Sequence, residues 1–230
     1  MLIISILTFK EFGLDESLIE GIEASGYENA TPVQEQVIPL ILNGQDIIAS
    51  AQTGTGKTAA FLLPIINKLL ASRHDDQINA LVIVPTRELA EQVYKAVEAF
   101  TAFCAKDIRA VNLTQKVSDA VQRSLLADSP DIVIATPARA VLNLNTTSLS
   151  LGELAHLVID EADLVLSYGY DDDLQNVAKV MPKGVQTILM SATLTSEVET
   201  LKGLFCRNPA ILKLEETEDE GEGVSQYVVK

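Results

Sequence analysis

Ala51-Gln52-Thr53-Gly54-Thr55-Gly56-Lys57-Thr58 gives the clearest indication of how this chain folds. It follows a short apolar run, residues 46–50, that is typical of a buried strand, and it precedes residues 59–63, which indicate the start of a helix. Two glycines allow the loop to turn so tightly that successive N–H groups point inward, where the helix also presents its positive end. The pattern predicts a phosphate-binding loop.

Two side chains of this loop suit a bound nucleotide. Lys57 is expected to reach the terminal phosphates, and the Thr58 hydroxyl is expected to complete the coordination of a Mg²⁺ ion that bridges them. The usual phosphate-loop pattern begins with glycine, whereas this chain has Ala51. An ordinary polar turn is the competing interpretation, but lysine and threonine at the required offset between a strand and a helix favour phosphate binding.

The composition suits one large α/β domain or at most two small ones, since 47% of the 230 residues are hydrophobic. The net charge of −15 argues against a surface that holds nucleic acid by bulk attraction. Part of the excess lies in residues 215–222, whose composition is that of a solvated linker. A nucleic acid would therefore have to be held by backbone amides and a few placed basic side chains, and weakly.

The cysteines and the N-terminus bear on the compartment. Cys104 and Cys206 lie far apart and near no histidine pair, so neither a disulfide framework nor a zinc site is indicated, and a reducing interior is expected. Residues 1–7 are apolar but too short to span a bilayer, and they lack a basic flank and a cleavage pattern. They are interpreted as an N-terminal extension.

Apolar runs and amphipathic segments alternate along the chain. Strands are predicted at residues 46–50, 80–84, 108–113, 132–135, 156–160, 186–190 and 210–214, and helices at residues 15–25, 32–42, from 59 onward, 87–103, 117–126, 138–142, 171–180 and 196–205. Near-continuous Val, Ile and Leu in the strands is typical of a parallel sheet covered by helices on both faces. The ligand of such an α/β sheet lies at the carboxyl ends of its strands.

Polar motifs follow several of these strands. Asp160 and Glu161 come where an apolar strand ends, so Asp160 is predicted to be an outer ligand of the magnesium ion and Glu161 to deprotonate the attacking water. Helix capping, the competing interpretation, explains Asp163 well and the other two acids poorly. Residues 85–90 and 136–139 each place a hydroxyl, a helix start and an arginine at a strand end, which suits sugar-phosphate oxygens, although plain caps would look the same.

The chain resembles the DEAD-box ATP-dependent RNA helicases through six motifs in the family's order. They are the segment from Gly26-Tyr27 to Gln34, the loop at 51–58, Pro85-Thr86-Arg87-Glu88-Leu89-Ala90, Thr136-Pro137-Ala138-Arg139, Asp160-Glu161-Ala162-Asp163 and Ser191-Ala192-Thr193. The motifs cover nearly the whole chain, and the family's phosphate loop normally begins with alanine, as here. The resemblance implies a RecA-like α/β domain that uses ATP and Mg²⁺ and acts on RNA.

The resemblance also implies roles for individual residues. Gln34 would read the adenine edge, with Phe9 and Tyr27 packed near the base. The remaining implied ATP-binding residues are Gln52, Thr53, Gly54, Thr55, Gly56, Lys57 and Thr58. Catalysis would use Lys57, Asp160 and Glu161, and magnesium would be held by Thr58 and Asp160, partly through water. Ser191 and Thr193 would link to Asp163 and couple the nucleotide state to strand separation, while RNA backbone contacts would come from Thr86, Arg87, Thr136 and Arg139.

Some features depart from the family pattern. Ala138 replaces the usual glycine of the fourth motif, and the expected Gly-Gly pair is missing from residues 112–116. We expect three parts: an extension at 1–7, a RecA-like ATP-binding domain at 8–214, and an acidic interdomain linker at 215–230. A second RecA-like domain, with its arginine finger, is expected to be absent, leaving a monomer with weak RNA affinity, little turnover and no membrane association.

The two segments of the chain resemble different branches of the family. The segment from about residue 80 onward looks like the fungal nucleolar branch that serves large ribosomal subunit assembly, whereas the segment before it looks closer to bacterial members. This difference is consistent with a recombined or designed chain. The resemblance implies a nucleolar location if the later segment decides it, and otherwise a cytoplasmic one.

Three functions remain open at this point. The first is the ATP-binding half of an RNA helicase, in which hydrolysis needs a second domain. The second is a nucleotide-dependent module that binds RNA or a protein without turnover, and the third is a DNA translocase with the same core. The acidic motif ending in Asp163 and the segment around Gln34 favour the RNA family over the DNA one.

Overall fold

The computed structural model describes residues 7–71, 77–146 and 148–214, together with the backbone of residues 228–229. Its strands are β1 Ile47–Ala51, β2 Ala80–Ile83, β3 Ala110–Asn112, β4 Ile132–Ala135, β5 His156–Ile159, β6 Gln186–Ser191, β7 Ala210–Leu214 and β8 Val228–Val229. Its helices are α1 Glu16–Ala24, α2 Pro32–Leu42, α3 Lys57–Ala71, α4 Arg87–Thr101, α5 Asp119–Ala127, α6 Pro137–Asn145, α7 Ala162–Ser167, α8 Asp171–Ala178 and α9 Ser196–Phe205. A 3₁₀ turn at Phe9–Phe12 precedes α1.

The strands form one sheet in the order β3-β4-β2-β5-β6-β1-β7-β8. Strands β1 to β7 pair in parallel, which confirms the predicted parallel sheet. Strand β8 pairs with β7 in the antiparallel direction, so the backbone at 228–229 departs from the solvated linker predicted for 215–230. The rest of that linker, and residues 1–6 of the predicted extension, lie outside the described residues.

Both faces of the sheet are buried under helices. Helices α1 to α4 pack on one face together with the side chains of Ala80 and Val82. Helices α5 to α9 pack on the other face with Leu81 and Ile83. Side chains of successive strand residues point to opposite faces, so a strand covered on both sides must be apolar throughout. This explains the continuous apolar runs in the sequence.

The observed elements differ from the predicted ones mainly at their ends. Strand β3 is three residues long where residues 108–113 were predicted, and α5 begins at Asp119 because the Ser118 hydroxyl caps it by accepting from Val121 N at 3.4 Å. Helix α7 was not predicted, since six residues are too few to show a helical period. Among the described residues, no helix is long and apolar enough to cross a membrane.

Candidate functional site

The order of the strands divides the predicted site residues into two neighbouring groups. Strands β1, β6 and β5 are adjacent, and they carry the phosphate loop, the Ser191-Ala192-Thr193 motif and the acidic motif at their carboxyl ends. Strands β2 and β4 are also adjacent, and they carry the two motifs with a hydroxyl and an arginine. Strand β5 lies between β6 and β2, so the acidic motif stands where the two groups meet.

The phosphate loop has the backbone that its glycines predicted. Gly54 and Gly56 have φ angles of 86° and 91°, in the left-handed region that favours glycine. The Thr55 hydroxyl donates to Gln52 O at 2.7 Å and closes the turn, while Gln52, Thr53 and Gly54 are exposed. Helix α3 begins at Lys57, directly after the loop. Its first N–H groups are therefore directed to the loop, as an anion site requires.

Gln34 ties helix α2 to this loop. Its side chain is fully buried, with the amide oxygen accepting from Thr31 N at 2.9 Å and the amide nitrogen donating to Gly56 O at 3.2 Å. A Cβ atom at Gly56 would lie 2.4 Å from Gln34 Nε2, so a larger residue at this position would have to displace the Gln34 amide. The bond to Gly56 was not predicted from sequence. Each amide group of Gln34 keeps one further hydrogen-bonding position, and adenine recognition through these positions stays a prediction.

A buried ion pair joins the phosphate loop to the acidic motif. Lys57 Nζ lies 3.1 Å from Glu161 Oε1, with 5% and 8% of the two side chains exposed. The same nitrogen has no aligned hydrogen-bond partner among the described residues. An ammonium held by charge but with undirected N–H groups can reorient toward a phosphate oxygen. The structure thus brings together two residues predicted to act on the same phosphate.

Asp160 lies beside this pair and is also buried. Burial, and next the Glu161 carboxylate, raise the pKa of Asp160 to about 7, although Lys57 acts in the opposite direction. Asp160 Oδ1 accepts from Glu161 N at 2.9 Å. Glu161 has a left-handed backbone with φ of 49°, which is unusual for a side chain with a Cβ and is typical of functional sites. Both carboxylates are therefore held in place by the backbone turn that follows β5.

The donor set fits a magnesium ion that arrives with a nucleotide. Within residues 7–71, 77–146 and 148–214, no cluster of three or more His, Cys, Asp or Glu could hold a metal by itself. Thr58 and Asp160 offer one hydroxyl and one carboxylate, and Mg²⁺ commonly takes few protein ligands together with waters and substrate phosphates. A cation near Asp160 would also favour its ionised form, because opposite charges lower a carboxyl pKa.

Hydrogen bonds connect the acidic motif on β5 to the motif on β6. Thr193 donates to Asp163 Oδ2 through its hydroxyl at 2.8 Å and through its N–H at 3.1 Å. Asp163 N donates to Ser191 Oγ at 3.4 Å, and that hydroxyl donates to Thr193 O at 2.7 Å. Burial alone would raise the pKa of Asp163, but the bonds from Thr193 and Ser191 outweigh it and the pKa is lowered. The structure therefore joins the three residues implied to couple the motifs.

A further link to the β6 motif was missed by sequence reasoning. Ser50, on the strand that leads into the phosphate loop, donates from its hydroxyl to Ala192 O at 3.0 Å across 142 residues of chain. The only signal in the sequence is a serine near the end of an apolar strand. The bond attaches β1 to the Ser191-Ala192-Thr193 motif, which is itself bonded to Asp163. A displacement of the phosphate loop would therefore also shift the Ser191-Ala192-Thr193 motif, and the reverse.

The implied RNA contacts lie at the starts of two helices on adjacent strands. Thr86 caps α4 by accepting from Leu89 N at 3.2 Å, and Arg87 beside it is exposed. Thr136 precedes α6 without making a side-chain capping bond, and Arg139 is half-buried. The capping interpretation is thus correct for Thr86, whose hydroxyl can still donate. Contact with RNA stays a prediction for all four residues.

Phe9 and Tyr27 belong to an aromatic cluster on the side of α4. Their ring centroids lie 6.5 Å apart, and Tyr27 is 5.8 Å from Phe100, both with edge-to-face geometry. Phe9 is buried and Tyr27 is half-buried. Packing of these rings near an adenine base stays a prediction, while their role in the core is evident from these contacts.

Comparisons with known proteins agree on one family. A profile described as DEAD/DEAH box helicase matches residues 31–201. The chain is 71% identical over 227 residues to a protein named ATP-dependent RNA helicase dbp9 from Botryotinia fuckeliana, and 61% identical over 227 residues to one named ATP-dependent RNA helicase DBP9 from Coccidioides immitis. Each alignment covers 97% of this chain but 37% of the relative, so the chain spans little more than a third of their length.

Solved structures support the same conclusion. The fold is similar to that of a DEAD box protein from the hyperthermophile Methanococcus jannaschii, with a TM-score of 0.84 and 30% identity over 90% of this chain and 56% of that one. It is also similar to S. cerevisiae dbp5 bound to gle1 and ip6, with a TM-score of 0.82 and 28% identity over 91% of this chain and 53% of that one. The RecA-like α/β fold implied by the motifs is confirmed.

The relatives also bear on the difference between the earlier and later segments. A single fungal relative aligns over 227 residues at 71% identity, which includes the stretch before residue 80 as well as the stretch after it. One continuous lineage therefore accounts for both segments, and the resemblance of the earlier one to bacterial members does not require a recombined or designed chain.

Proposed function

Because the chain belongs to the DEAD/DEAH box helicase family, we propose that it forms the N-terminal, ATP-binding half of an ATP-dependent RNA helicase. The observation that carries this proposal is the buried contact between Lys57 and Glu161, which places the phosphate-loop lysine against the predicted base. Full activity would need a second RecA-like domain, which in this class supplies an arginine to the phosphoryl group.

The residues of the site would act in sequence. Lys57 leaves Glu161 to bind the terminal phosphates, and the N–H groups of the phosphate loop hold the others. Glu161, freed of its cation, takes a proton from the water that attacks the γ-phosphate. Thr58 and Asp160 would hold Mg²⁺, which neutralises phosphate charge when it is bound.

The RNA would be held at the neighbouring strand ends. Thr86, Arg87, Thr136 and Arg139 lie on the adjacent strands β2 and β4, where hydroxyls, arginines and helix starts can bind phosphate oxygens without reading bases. The bonds between Asp163 and Thr193 would carry a change at the nucleotide to this surface. With a net charge of −15, affinity for RNA in this half alone should be low.

The cellular role follows from the resemblance of the later segment. Residues from about 80 onward look like the fungal nucleolar branch that serves large ribosomal subunit assembly, and the high-identity relatives are fungal proteins named as RNA helicases. We therefore propose a role in ribosome biogenesis for this protein, as a monomer, in the nucleolus if the resemblance of the later segment decides the location and otherwise in the cytoplasm.

The test is RNA-stimulated ATP turnover and duplex unwinding by the 230-residue chain, alone and fused after Lys230 to a second RecA-like domain of the family. The chain alone should bind ATP and hydrolyse it barely, and the fusion should gain RNA-stimulated turnover. Glu161→Gln in the fusion should keep ATP binding and lower turnover by roughly 10² or more. The control is Glu153→Gln, which changes an exposed acid outside the site.

Each alternative function has its own outcome in this test. Nucleotide-dependent RNA binding with no turnover in several fusions would favour a binding module. Equal stimulation by DNA and RNA would favour a DNA translocase. Normal turnover in Glu161→Gln would place the base elsewhere.

A further inference from the structure

A groove runs along the free edge of the sheet, far from the strand ends that carry the motifs. Its floor is residues 107–111, which include the first part of the edge strand β3. One wall comes from the C-terminal half of α4, with Tyr94 and Glu98, and the other from the end of α5 and the turn after it, with Leu125 and Asp128. The cavity measures ≈ 480 Å³. We call it the β3 groove.

The floor of the β3 groove presents unpaired backbone. On either side of β3, Ile132 N donates to Arg109 O at 3.1 Å and Leu113 N donates to Ile134 O at 2.9 Å, so the odd-numbered positions of this segment bond to β4. The alternation of a parallel ladder then turns the N–H and C=O of Ala110 outward into the groove. Among the described residues neither group has a backbone partner. Such an edge is a template for one more strand.

The groove is apolar inside and acidic at its rim. Ile108 in the floor and Val97 in the α4 wall are buried, and Leu125 is 39% exposed on the opposite wall. Leu125 continues an apolar stripe along α5 with Val121, which is 46% exposed. Three of the lining residues at the rim are acids, and one is a cation: Glu98, Asp107, Asp128 and Arg109. The Arg109 guanidinium donates to Ser129 O at 3.1 Å, which holds it against the turn.

We propose that the β3 groove binds an extended basic peptide of a partner protein, which adds to the edge of β3 as a further strand. Main-chain bonds to Ala110 would supply affinity, and alternate side chains would divide between the apolar floor and the acidic rim, as in other strand-addition complexes. The peptide would therefore alternate Lys or Arg with Val, Ile or Leu. Acid at the rim and a net charge of −15 oppose both RNA and a second copy of this chain.

This site is independent of the proposed nucleotide and RNA surface. The groove uses Tyr94, Glu98 and Thr101 in the later turns of α4, whereas Thr86 and Arg87 stand at the start of that helix. A bound peptide would leave the strand ends open. It could attach the domain to a larger assembly while ATP and RNA bind.

The experiment selects peptides from a displayed library of random nine-residue sequences on the full 230-residue chain and measures the affinity of the enriched peptides by fluorescence polarisation. We expect basic residues alternating with β-branched or other aliphatic ones. Binding should weaken about tenfold or more in Ala110→Pro, which removes an outward N–H without touching the bonds to β4, and in Glu98→Lys. The control Glu153→Lys makes the same charge change at an exposed site outside the groove and should leave affinity unchanged.

Changes in the peptide keep the test decisive if Ala110→Pro perturbs the edge. N-methylation at alternate peptide residues should abolish binding in one register and spare it in the other, since only one set of N–H groups faces β3. Enrichment of acidic or patternless peptides would overturn the proposal. So would equal affinity in Glu98→Lys and the parent chain, or binding that RNA or ATP displaces.

Discussion

Lys57 and Glu161 neutralise each other in a buried contact of 3.1 Å, although the proposed mechanism gives each of them a separate role toward a bound nucleotide. The lysine belongs to the start of α3 and the glutamate to the turn after β5, two strands away in the sheet. A phosphate that draws Lys57 toward the loop must also release the Glu161 carboxylate. In the proposed mechanism, nucleotide binding and exposure of the base would therefore be one event, and water would not be activated before the phosphate is in place.

This relationship predicts an asymmetry between variants. Lys57→Met leaves two buried carboxylates, Glu161 and Asp160, without their cation, so the free energy of unfolding should fall by about 3–5 kcal/mol. Adding Glu161→Gln should recover much of that stability without restoring ATP binding. Urea unfolding and calorimetry measure both. The control Lys95→Met removes an exposed contact of 3.8 Å with Glu91 and should cost at most about 1 kcal/mol; an equally small loss for Lys57→Met would contradict the argument.

The two loop glycines predict a second asymmetry. Both have positive φ, but a Cβ at Gly54 would meet nothing within 4 Å, whereas one at Gly56 would lie 2.4 Å from Gln34 Nε2. Gly54→Ala should therefore cost only the backbone penalty, about 1–2 kcal/mol. Gly56→Ala should cost about 1–3 kcal/mol more through overpacking.

The double variant Gln34→Ala with Gly56→Ala tests whether the Gln34 side chain causes the additional stability loss of Gly56→Ala. Removing the amide should recover part of the excess cost, measured by thermal or urea unfolding as a double-mutant cycle. Equal losses for the two single variants would show that the contact between Gln34 and Gly56 does not constrain the loop.

Much of this architecture is readable from sequence because its signals are local. A strand covered on both faces must be apolar at every position, which made β4 and β7 predictable to the residue. The left-handed turn at Gly56 is likewise signalled by the glycine itself. The loop and the acidic motif each follow such a strand, so their placement at one edge followed from parallel pairing.

What the sequence could not supply is non-local. The position of β1 between β6 and β7 depends on which helices cover which face of the sheet. This position brings Ser50 next to Ala192, which lies 142 residues later in the chain. The ion pair of Lys57 with Glu161 arises in the same way. Each of these contacts joins elements that are distant in sequence, and the spacing of residues does not predict it.

The link between Asp163 and Thr193 gives a third prediction. Thr193→Val removes the hydroxyl donor at 2.8 Å but keeps the N–H donor at 3.1 Å, so we expect a loss of about 0.5–1.5 kcal/mol in unfolding free energy. Thr193→Ser should retain the bond and the stability. In the fused two-domain protein, Thr193→Val should reduce unwinding more than ATP turnover. A parallel loss of both in Thr193→Val and Thr193→Ser would argue against a coupling role.

A fourth prediction concerns stability against pH, away from the nucleotide site. His156 is the first residue of β5, and its buried Nδ1 has no hydrogen-bond partner within the part of the chain that the structure describes. Burial, and next the charge of Lys68, lower its pKa to about 4 from 6.5. As the pH falls, the unfolded chain therefore binds the proton before the folded chain does. The stability that neutral His156 contributes is present above about pH 6.5 and is lost as the pH falls toward 4. The full loss is about 3 kcal/mol.

A difference measurement isolates this histidine. The raised pKa of Asp160 makes the folded chain more stable as the pH falls from 7 to 4, which opposes the effect of His156. This contribution is the same in the parent chain and in His156→Gln, so it cancels in the difference. The stability of the parent relative to His156→Gln, from urea unfolding at pH 7.5 and pH 4.5, should therefore fall at the lower pH. A constant difference would show that His156 titrates normally in the folded chain.

The last prediction separates the two roles of Gln34. Its oxygen accepts from Thr31 N in the capping box of α2, and glutamate serves equally well at that position. Gln34→Glu should accordingly preserve the helix start, but it removes the donor that adenine needs at its ring nitrogen and places a charge near Gly56 O. ADP affinity should fall by about tenfold, while the parent chain should prefer ADP to GDP, because guanine would leave buried polar groups unpaired. Calorimetry with both nucleotides measures this, with Gln175→Glu, an exposed position of α8 outside the site, as the charge-matched control. Since Gln34 is fully buried, its free hydrogen-bonding positions become accessible to a base only if neighbouring residues move, so the affinity should depend on how easily the loop moves. Equal affinity for ADP and GDP, or an unchanged preference in Gln34→Glu, would leave Gln34 as a purely structural tie between α2 and the loop.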